Sequence, residues 1–108
     1  MIIQQENIGA SRSLNKGVHL SKSNLIARLD ADDVASKHRL ERQVEFMIKN
    51  PKVVLCGSKF RELIGVKSLP QRVAFIETDP SIRKSMSLFN PFSHSTVIFR
   101  KEKVKIQL

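Results

Sequence analysis

An apolar run, Leu25 to Leu29, ends in three carboxylates within four positions, Asp30, Asp32 and Asp33. Like charges this close repel one another unless a cation, hydrogen-bond donors or open water compensate them. The segment therefore belongs at the end of a buried element, where apolar chain meets a cleft or the surface. On an extended backbone Asp30 and Asp32 project to the same side, because strand side chains alternate with period two. Two aligned carboxylates with a third beside them suit one hard divalent ion such as Mg²⁺ or Mn²⁺. In open α/β sheets, ligands lie just past the carboxyl ends of the strands, which is where this cluster falls. The plainer alternative is an acidic, solvated turn in which one Asp caps the next helix.

Around that run the chain reads as alternating helices and strands. Residues 2–4 read as the end of a strand, and Asn7 and Gly9 carry turn chemistry. The spacing predicts a helix from about Ala10 to Lys22, with Leu14, Val18 and Leu20 apolar and Gly17 at a point of close approach. Ser23-Asn24 breaks it, and Leu25 to Asp30 reads as a strand of the buried, parallel-sheet type. Ser36 is a favourable N-cap for a helix from about Lys37 to Asn50. Leu40, Val44, Met47 and Ile48 recur at i, i+4, i+7 and i+8 and make one apolar face. Glu45 and Lys49 form an i, i+4 pair in the favourable order, worth about 0.2–0.5 kcal/mol. Asn50-Pro51 ends the helix.

Val53 to Ser58 reads as a second buried strand. Short strands are expected near 59–66 and 71–77, joined through Ser68-Leu69-Pro70. Asp79-Pro80 places an N-cap before a proline at the first helical position, predicting a helix from Pro80 to Phe89 that Asn90-Pro91 stops. Ser95 to Arg100 is a strand by its β-branched content. The tail from Lys101 to Leu108 alternates polar and apolar, and either extends that strand or is an unpaired end.

At 108 residues this is one domain. No apolar run approaches the roughly 20 residues a membrane-spanning helix needs, and the N-terminus carries no secretory signal pattern. Cys56 is the sole cysteine, which excludes an intrachain disulfide and a multi-cysteine zinc site. In the run Val53-Val54-Leu55-Cys56 it reads as a small buried hydrophobe, and a reducing, cytoplasmic setting fits. The net charge is +9, so a small acidic spot sits in a strongly basic chain. That balance favours anionic partners, whether a nucleotide diphosphate, a nucleic acid or an anionic membrane.

Five landmarks occur in one order. Asn7-x-Gly9 with Asn15-x-Gly17 comes first, then Ile26-Ala27-Arg28-Leu29-Asp30-Ala31-Asp32-Asp33, then Arg39-Leu40-x-x-Gln43-Val44, then Asn50-Pro51 with Gly57-Ser58. Last comes Asn90-Pro91-Phe92-Ser93-His94-Ser95-Thr96-Val97-Ile98-Phe99-Arg100-Lys101. In this order the sequence resembles the middle of a family 2 glycosyltransferase of the GT-A fold, from about residue 2 to 102. The resemblance implies an α/β architecture, a partial GT-A (Rossmann-like) sheet flanked by helices, with residues 1–108 as a single partial domain.

It further implies transfer of a sugar from a nucleotide-sugar donor to an acceptor hydroxyl, with Mn²⁺ or Mg²⁺ held by Asp30 and Asp32. Asp32 is then the first choice for direct ligation. Asp30 meets the metal or the donor's ribose and sugar, and Asp33 is a supporting or acceptor-side carboxylate. Asn7, Gly9, Arg12 and Asn15 line the donor side: Gly9 lets the backbone come close, Arg12 supplies a positive fork for phosphate, and Asn15 is a neutral donor and acceptor. His94 faces the acceptor cleft, and the acceptor itself is a sugar or a lipid-linked sugar. The implied setting is cytoplasmic, peripheral at the inner face of the membrane.

The resemblance also implies that the family's opening β-α-β segment precedes Ile2 and that its inverting-transfer carboxylate follows Leu108. No catalytic base is therefore assigned here, and the expectation is a central fragment, incomplete as a catalyst by itself. Lys37 stands where the family usually has proline. A sheet missing a neighbouring strand exposes an edge, which favours self-association. A contrasting reading is a non-catalytic basic module for nucleic acid or anionic membrane, resting on the +9 charge. Against nucleic acid, no recognised binding motif is present, and the six Phe are not interleaved with the basic residues. A third reading is a pseudoenzyme that pairs with another chain.

Overall fold

The computed structural model describes residues 6–65, 67–69 and 76–104. In chain order the elements are α1 (Ala10–Leu20), β1 (Leu25–Ala27), α2 (Arg39–Lys49), β2 (Leu55–Cys56), β3 (Leu63–Ile64), β4 (Lys67–Ser68), α3 (Asp79–Ser85) and β5 (Ile98–Arg100). Short 3₁₀ turns at His94–Thr96 and Lys101–Lys103 flank β5. Helices beside a small antiparallel sheet fit the partial GT-A architecture expected from the sequence.

The main sheet has the spatial order β1-β5-β2. β5 lies in the middle and runs antiparallel to both neighbours, with Ile26 opposite Phe99 and Cys56 opposite Ile98. The parallel-sheet expectation for Leu25–Asp30 is thereby corrected. β1 is only three residues long, half-buried at Leu25 and Ile26 and exposed at Ala27. An apolar run alone does not report strand direction. The late segment from Ile98 returns between the two earlier strands and takes a hydrogen-bonding edge of each.

The second strand expected at Val53–Ser58 shrinks to Leu55–Cys56. A separate hairpin pairs β3 with β4, turning at Gly65, whose φ of +58° favours glycine. The expected strand over 59–66 is thus cut short, and its partner comes earlier than 71–77. Residues 2–4 and most of 71–77 lie outside the described residues, and Ile76 and Glu77 carry no regular structure.

α1 starts on an Asx turn. The Gly9 N–H donates to Asn7 Oδ1 at 3.0 Å, and Gly9 has φ +81°. Its other end, at Leu20 rather than Lys22, is closed from a distance. Lys101 Nζ donates to the carbonyls of His19 at 3.0 Å and Ser21 at 2.7 Å. A cation on the open carbonyls of a helix C-terminus is favoured by hydrogen bonding and by the helix dipole. Lys101 to Val104 does not extend β5 as a strand, and residues 105–108 lie outside the described residues. The Lys101 N–H bonds to Asn24 O and the Glu102 N–H to Asn24 Oδ1, and the chain curls into a 3₁₀ turn. Gly17 is not a point of close approach, since a Cβ there would meet nothing within 4 Å.

α2 begins two residues later than expected. His38 is its N-cap, and Ser36 contributes its carbonyl to the Arg39 N–H rather than a side-chain cap. The Glu45–Lys49 pair forms, at 2.6 Å. α3 is capped by Thr78, not Asp79, and stops at Ser85. Asp79 instead accepts a hydrogen bond from Arg83 one turn later, at 2.7 Å.

Among the described residues only Met47, Val97 and Ile98 are buried apolar side chains, while Leu40 and Ile48 on α2 are exposed. The face predicted by spacing is thus packed only in part: Met47 is buried and Val44 half-buried, while Leu40 and Ile48 face outward. α2 meets the sheet with Arg39, Gln43 and Met47.

Candidate active site

The buried stripe of α2 is mostly polar, so each polar atom needs a partner. Arg39 Nε donates to Gln43 Oε1 at 2.9 Å, and Arg39 Nη2 donates to the carbonyls of Arg28 at 2.9 Å and Val97 at 3.2 Å. Gln43 Nε2 donates to Thr96 O at 2.8 Å and reaches Cys56 O at 3.5 Å. Two side chains on one helix thus hold residues just after β1, just before β5 and at the end of β2. No buried side-chain nitrogen or oxygen lacks a partner among the described residues. Burial lowers the Arg39 pKa, yet an arginine guanidinium remains charged at any physiological pH. At the other end of α2, Arg100 Nη2 donates to Met47 O at 2.7 Å and Nε to Val53 O at 3.0 Å.

This clamp fixes the backbone that leads into the acidic segment. The Arg28 N–H donates to Val97 O at 3.0 Å, and the Asp30 N–H donates to the buried Ser95 Oγ at 3.0 Å. The chain then turns: the Asp33 N–H bonds back to Asp30 O at 3.2 Å, with Ala31 and Asp32 at the corner. The extended backbone that would align Asp30 with Asp32 therefore ends at Asp30, and the alternation rule does not carry through the cluster. Asp32 and Asp33 are exposed on this turn.

Asp30 is engaged. Its Oδ1 accepts from Arg28 Nε at 2.9 Å and its Oδ2 from Arg28 Nη2 at 3.3 Å. This paired guanidinium holds the Asp30 carboxyl below its ordinary range, partial burial opposing it and Ser95 and His94 adding smaller pulls in the same direction. His94 stands exposed on the 3₁₀ turn, its Nε2 3.4 Å from Asn90 Nδ2. The loop that presents it is tied by local hydrogen bonds and one close ring contact. Asn90 Oδ1 accepts from the Phe92 N–H at 3.0 Å, and Thr96 Oγ1 donates to Ser93 O at 2.8 Å. The Phe92 ring lies against Gly57, where a Cβ would come within 2.9 Å of it. Gly57 is where this fold requires a close approach.

The structure thus brings Arg28, Asp30, His94 and Ser95 together beside the exposed Asp32 and Asp33. Asn7, Gly9, Arg12 and Asn15 form their own group at the start of α1. There Asn7 is committed through Oδ1 to the turn, Arg12 is exposed and Asn15 half-buried. Gly9 meets nothing that a Cβ would strike, so its glycine is required by its positive φ. Sequence reasoning assigned no role to Arg28, Arg39, Gln43 or Ser95. A signal existed: Arg39, Gln43 and Met47 recur at i, i+4 and i+8, a stripe that hydropathy discards because two members are polar.

Among the described residues no set of three His, Cys, Asp or Glu side chains gathers to hold a metal. A Mg²⁺-like ion nevertheless takes only one or two protein carboxylates when phosphates and water complete its shell. Asp32 is open, and a carboxylate that accepts two hydrogen bonds still has free lone pairs. The hard-oxygen donor set therefore fits such an ion.

Comparison with known proteins gives a consistent outcome. Residues 1–105 match the model of the family described as Glycosyl transferase family 2. The amylovoran biosynthesis glycosyltransferase AmsE of Erwinia amylovora is 35% identical over 102 residues, covering 93% of this chain and 37% of that protein. A UDP-Gal:alpha-D-GlcNAc-diphosphoundecaprenol beta-1,3-galactosyltransferase of Escherichia coli is 31% identical over 100 residues, covering 90% of this chain and 35% of its own length. The O-antigen biosynthesis glycosyltransferase WbnJ of Escherichia coli is 31% identical over 97 residues, covering 85% and 35%. This chain therefore spans little more than a third of the length of these relatives. No solved structure matches.

Proposed function

Because this chain belongs to the family 2 glycosyltransferases, we propose that it is the donor-handling portion of an enzyme that moves a sugar from a nucleotide-sugar to an acceptor hydroxyl. The observation that carries the reading is the acidic turn at the end of β1, open at Asp32 and Asp33 and tied through Asp30 to the Ser95 loop. Relatives named for amylovoran and O-antigen biosynthesis support a role in polysaccharide or glycoconjugate synthesis. One relative is named for a diphosphoundecaprenol-linked acceptor. A sugar or lipid-linked acceptor, and a peripheral position on the inner face of a membrane, follow as parts of the proposal. Among the described residues no helix is long and apolar enough to cross a membrane.

In this reading Asp32, with Asp30, holds Mn²⁺ or Mg²⁺, which when bound neutralises charge on the donor's diphosphate. Asp33 and His94 stand on the acceptor side. Arg12 and Asn15, on α1, serve the donor, and Asn7 and Gly9 shape the turn that positions them. Ser95 orients the Asp30 backbone, and the Arg39–Gln43 clamp keeps the turn in place.

The contrasting reading of a basic binding module loses part of its warrant, because several cations are spent inside the fold. Arg39 and Arg100 donate to buried or half-buried carbonyls, Lys101 closes α1 and Arg28 is paired with Asp30. The test is a thermal-shift titration of Mn²⁺ with UDP, GDP or dTDP. A rise in midpoint that needs metal and nucleotide together, and disappears in Asp32→Asn, is the expected result. No rise with any of the three nucleotides refutes the proposal.

A further inference from the structure

One cation in the acidic segment has no role in the reading above. Arg28 lies two residues before Asp30 and grips both of its carboxylate oxygens, at 2.9 and 3.3 Å. Its main chain cannot follow its side chain. The Arg28 N–H is held by Val97 O, and its carbonyl accepts from the buried Arg39 guanidinium. Asp30 is fixed equally, by Ser95 Oγ on its N–H. Between two pinned backbones the pair can separate only by side-chain rotation, and the longer Arg28 side chain has the greater reach. The pair is also partly open to solvent, with side-chain exposures of 26% and 40%. Ion pairs so exposed are weak and exchange readily. An arginine fork matches a phosphate as well as a carboxylate, and binds either in bidentate fashion.

We propose that Arg28 is an exchangeable counter-ion of the donor site: its guanidinium holds Asp30 in the free protein, and releases that carboxylate to turn onto the donor's diphosphate when donor and divalent cation bind. The inference rests on the donor site proposed above, and assigns to it a diphosphate-positioning residue. Arg28 then opposes metal binding without nucleotide and favours it with nucleotide, so the two ligands bind cooperatively through one side chain. No covalent bond is made or broken in this exchange.

The test measures Mn²⁺ binding to the full chain by the loss of the free-ion EPR signal, and UDP binding by calorimetry at saturating Mn²⁺. Arg28→Gln and Arg28→Lys are compared with wild type. Without nucleotide, Arg28→Gln should bind Mn²⁺ about two- to fivefold tighter, the fold-change equivalent of an exposed ion pair. In the same variant UDP affinity should fall about tenfold or more, the equivalent of losing a charge-assisted contact. Arg28→Lys keeps the charge but not the fork, and should fall between. Weaker Mn²⁺ binding by Arg28→Gln without nucleotide would mean that Arg28 only orders the turn, and overturns the inference. Unchanged UDP affinity overturns it too. If wild type binds Mn²⁺ only at Asp32, lost in Asp32→Asn, and neither Arg28 variant differs from it, the inference fails while the donor site stands. Absence of Mn²⁺ binding with or without UDP removes both.

Discussion

The two faces of α2 invert the usual arrangement of an amphipathic helix. Inward, Arg39 and Gln43 share a stripe with Met47 and bond to four strand or strand-end carbonyls. Outward, the exposed Leu40 and Ile48 and the half-buried Val44 make an open apolar face bordered by Glu41, Glu45 and Lys49. The inner face shows that a buried position can be specified by hydrogen-bond demand rather than by hydropathy. Sheet ends leave carbonyls that no strand partner satisfies, and leaving them unpaired would cost more than burying a guanidinium and an amide that pair with them. The outer face shows that apolar periodicity finds the helix without saying which way it points.

The contrast can be broken most forcefully at Arg39. Arg39→Ala leaves the Arg28 and Val97 carbonyls and Gln43 Oε1 without their partner, and should cost about 3 kcal/mol or more. Urea midpoints measure this, and a loss under about 1 kcal/mol would show that water replaces the clamp. Met47→Ala follows, at about 2–5 kcal/mol for a side chain that is fully buried on the same face. Gly57→Ala should cost about 1–3 kcal/mol, because the added methyl drives the Phe92 ring off its seat. On the outer face, Leu40→Ser and Ile48→Ser in the same chain should change stability by no more than about 0.5 kcal/mol. A large loss there would mean that this face is covered in solution.

The smallest effect is one of pH. The folded pKa of Asp30 is depressed, chiefly by Arg28, so its ion pair contributes fully above the ordinary carboxylate pKa and is lost as pH falls through the lowered value. Comparing wild type with Arg28→Gln from about pH 6 to about pH 3 should show a slightly steeper acid-side loss in wild type.

Much of the layout was legible in local chemistry. Asn7 and Gly9 do make a turn, Asn50-Pro51 does follow the end of α2, and β5 lies within Ser95–Arg100. Each of these depends on a residue's own backbone preference or on its nearest neighbours. The candidate site was legible only as a cluster of acids. The partners that shape it come from far along the chain: Ser95 is 65 positions from Asp30, and Val97 is 58 positions from Arg39. No window of sequence contains such a contact.

The order of turns, helices and strands, the place of the acidic turn and the family of the chain were determined by the sequence itself. Tertiary structure decided that the sheet is antiparallel about β5, that α2 turns its polar stripe inward, and that the Asp30 N–H is held by Ser95. The physical reason is the same in each case. Short elements take their direction and their facing side from where distant carbonyls and donors are left unpaired, and that accounting closes only when the whole chain is in place.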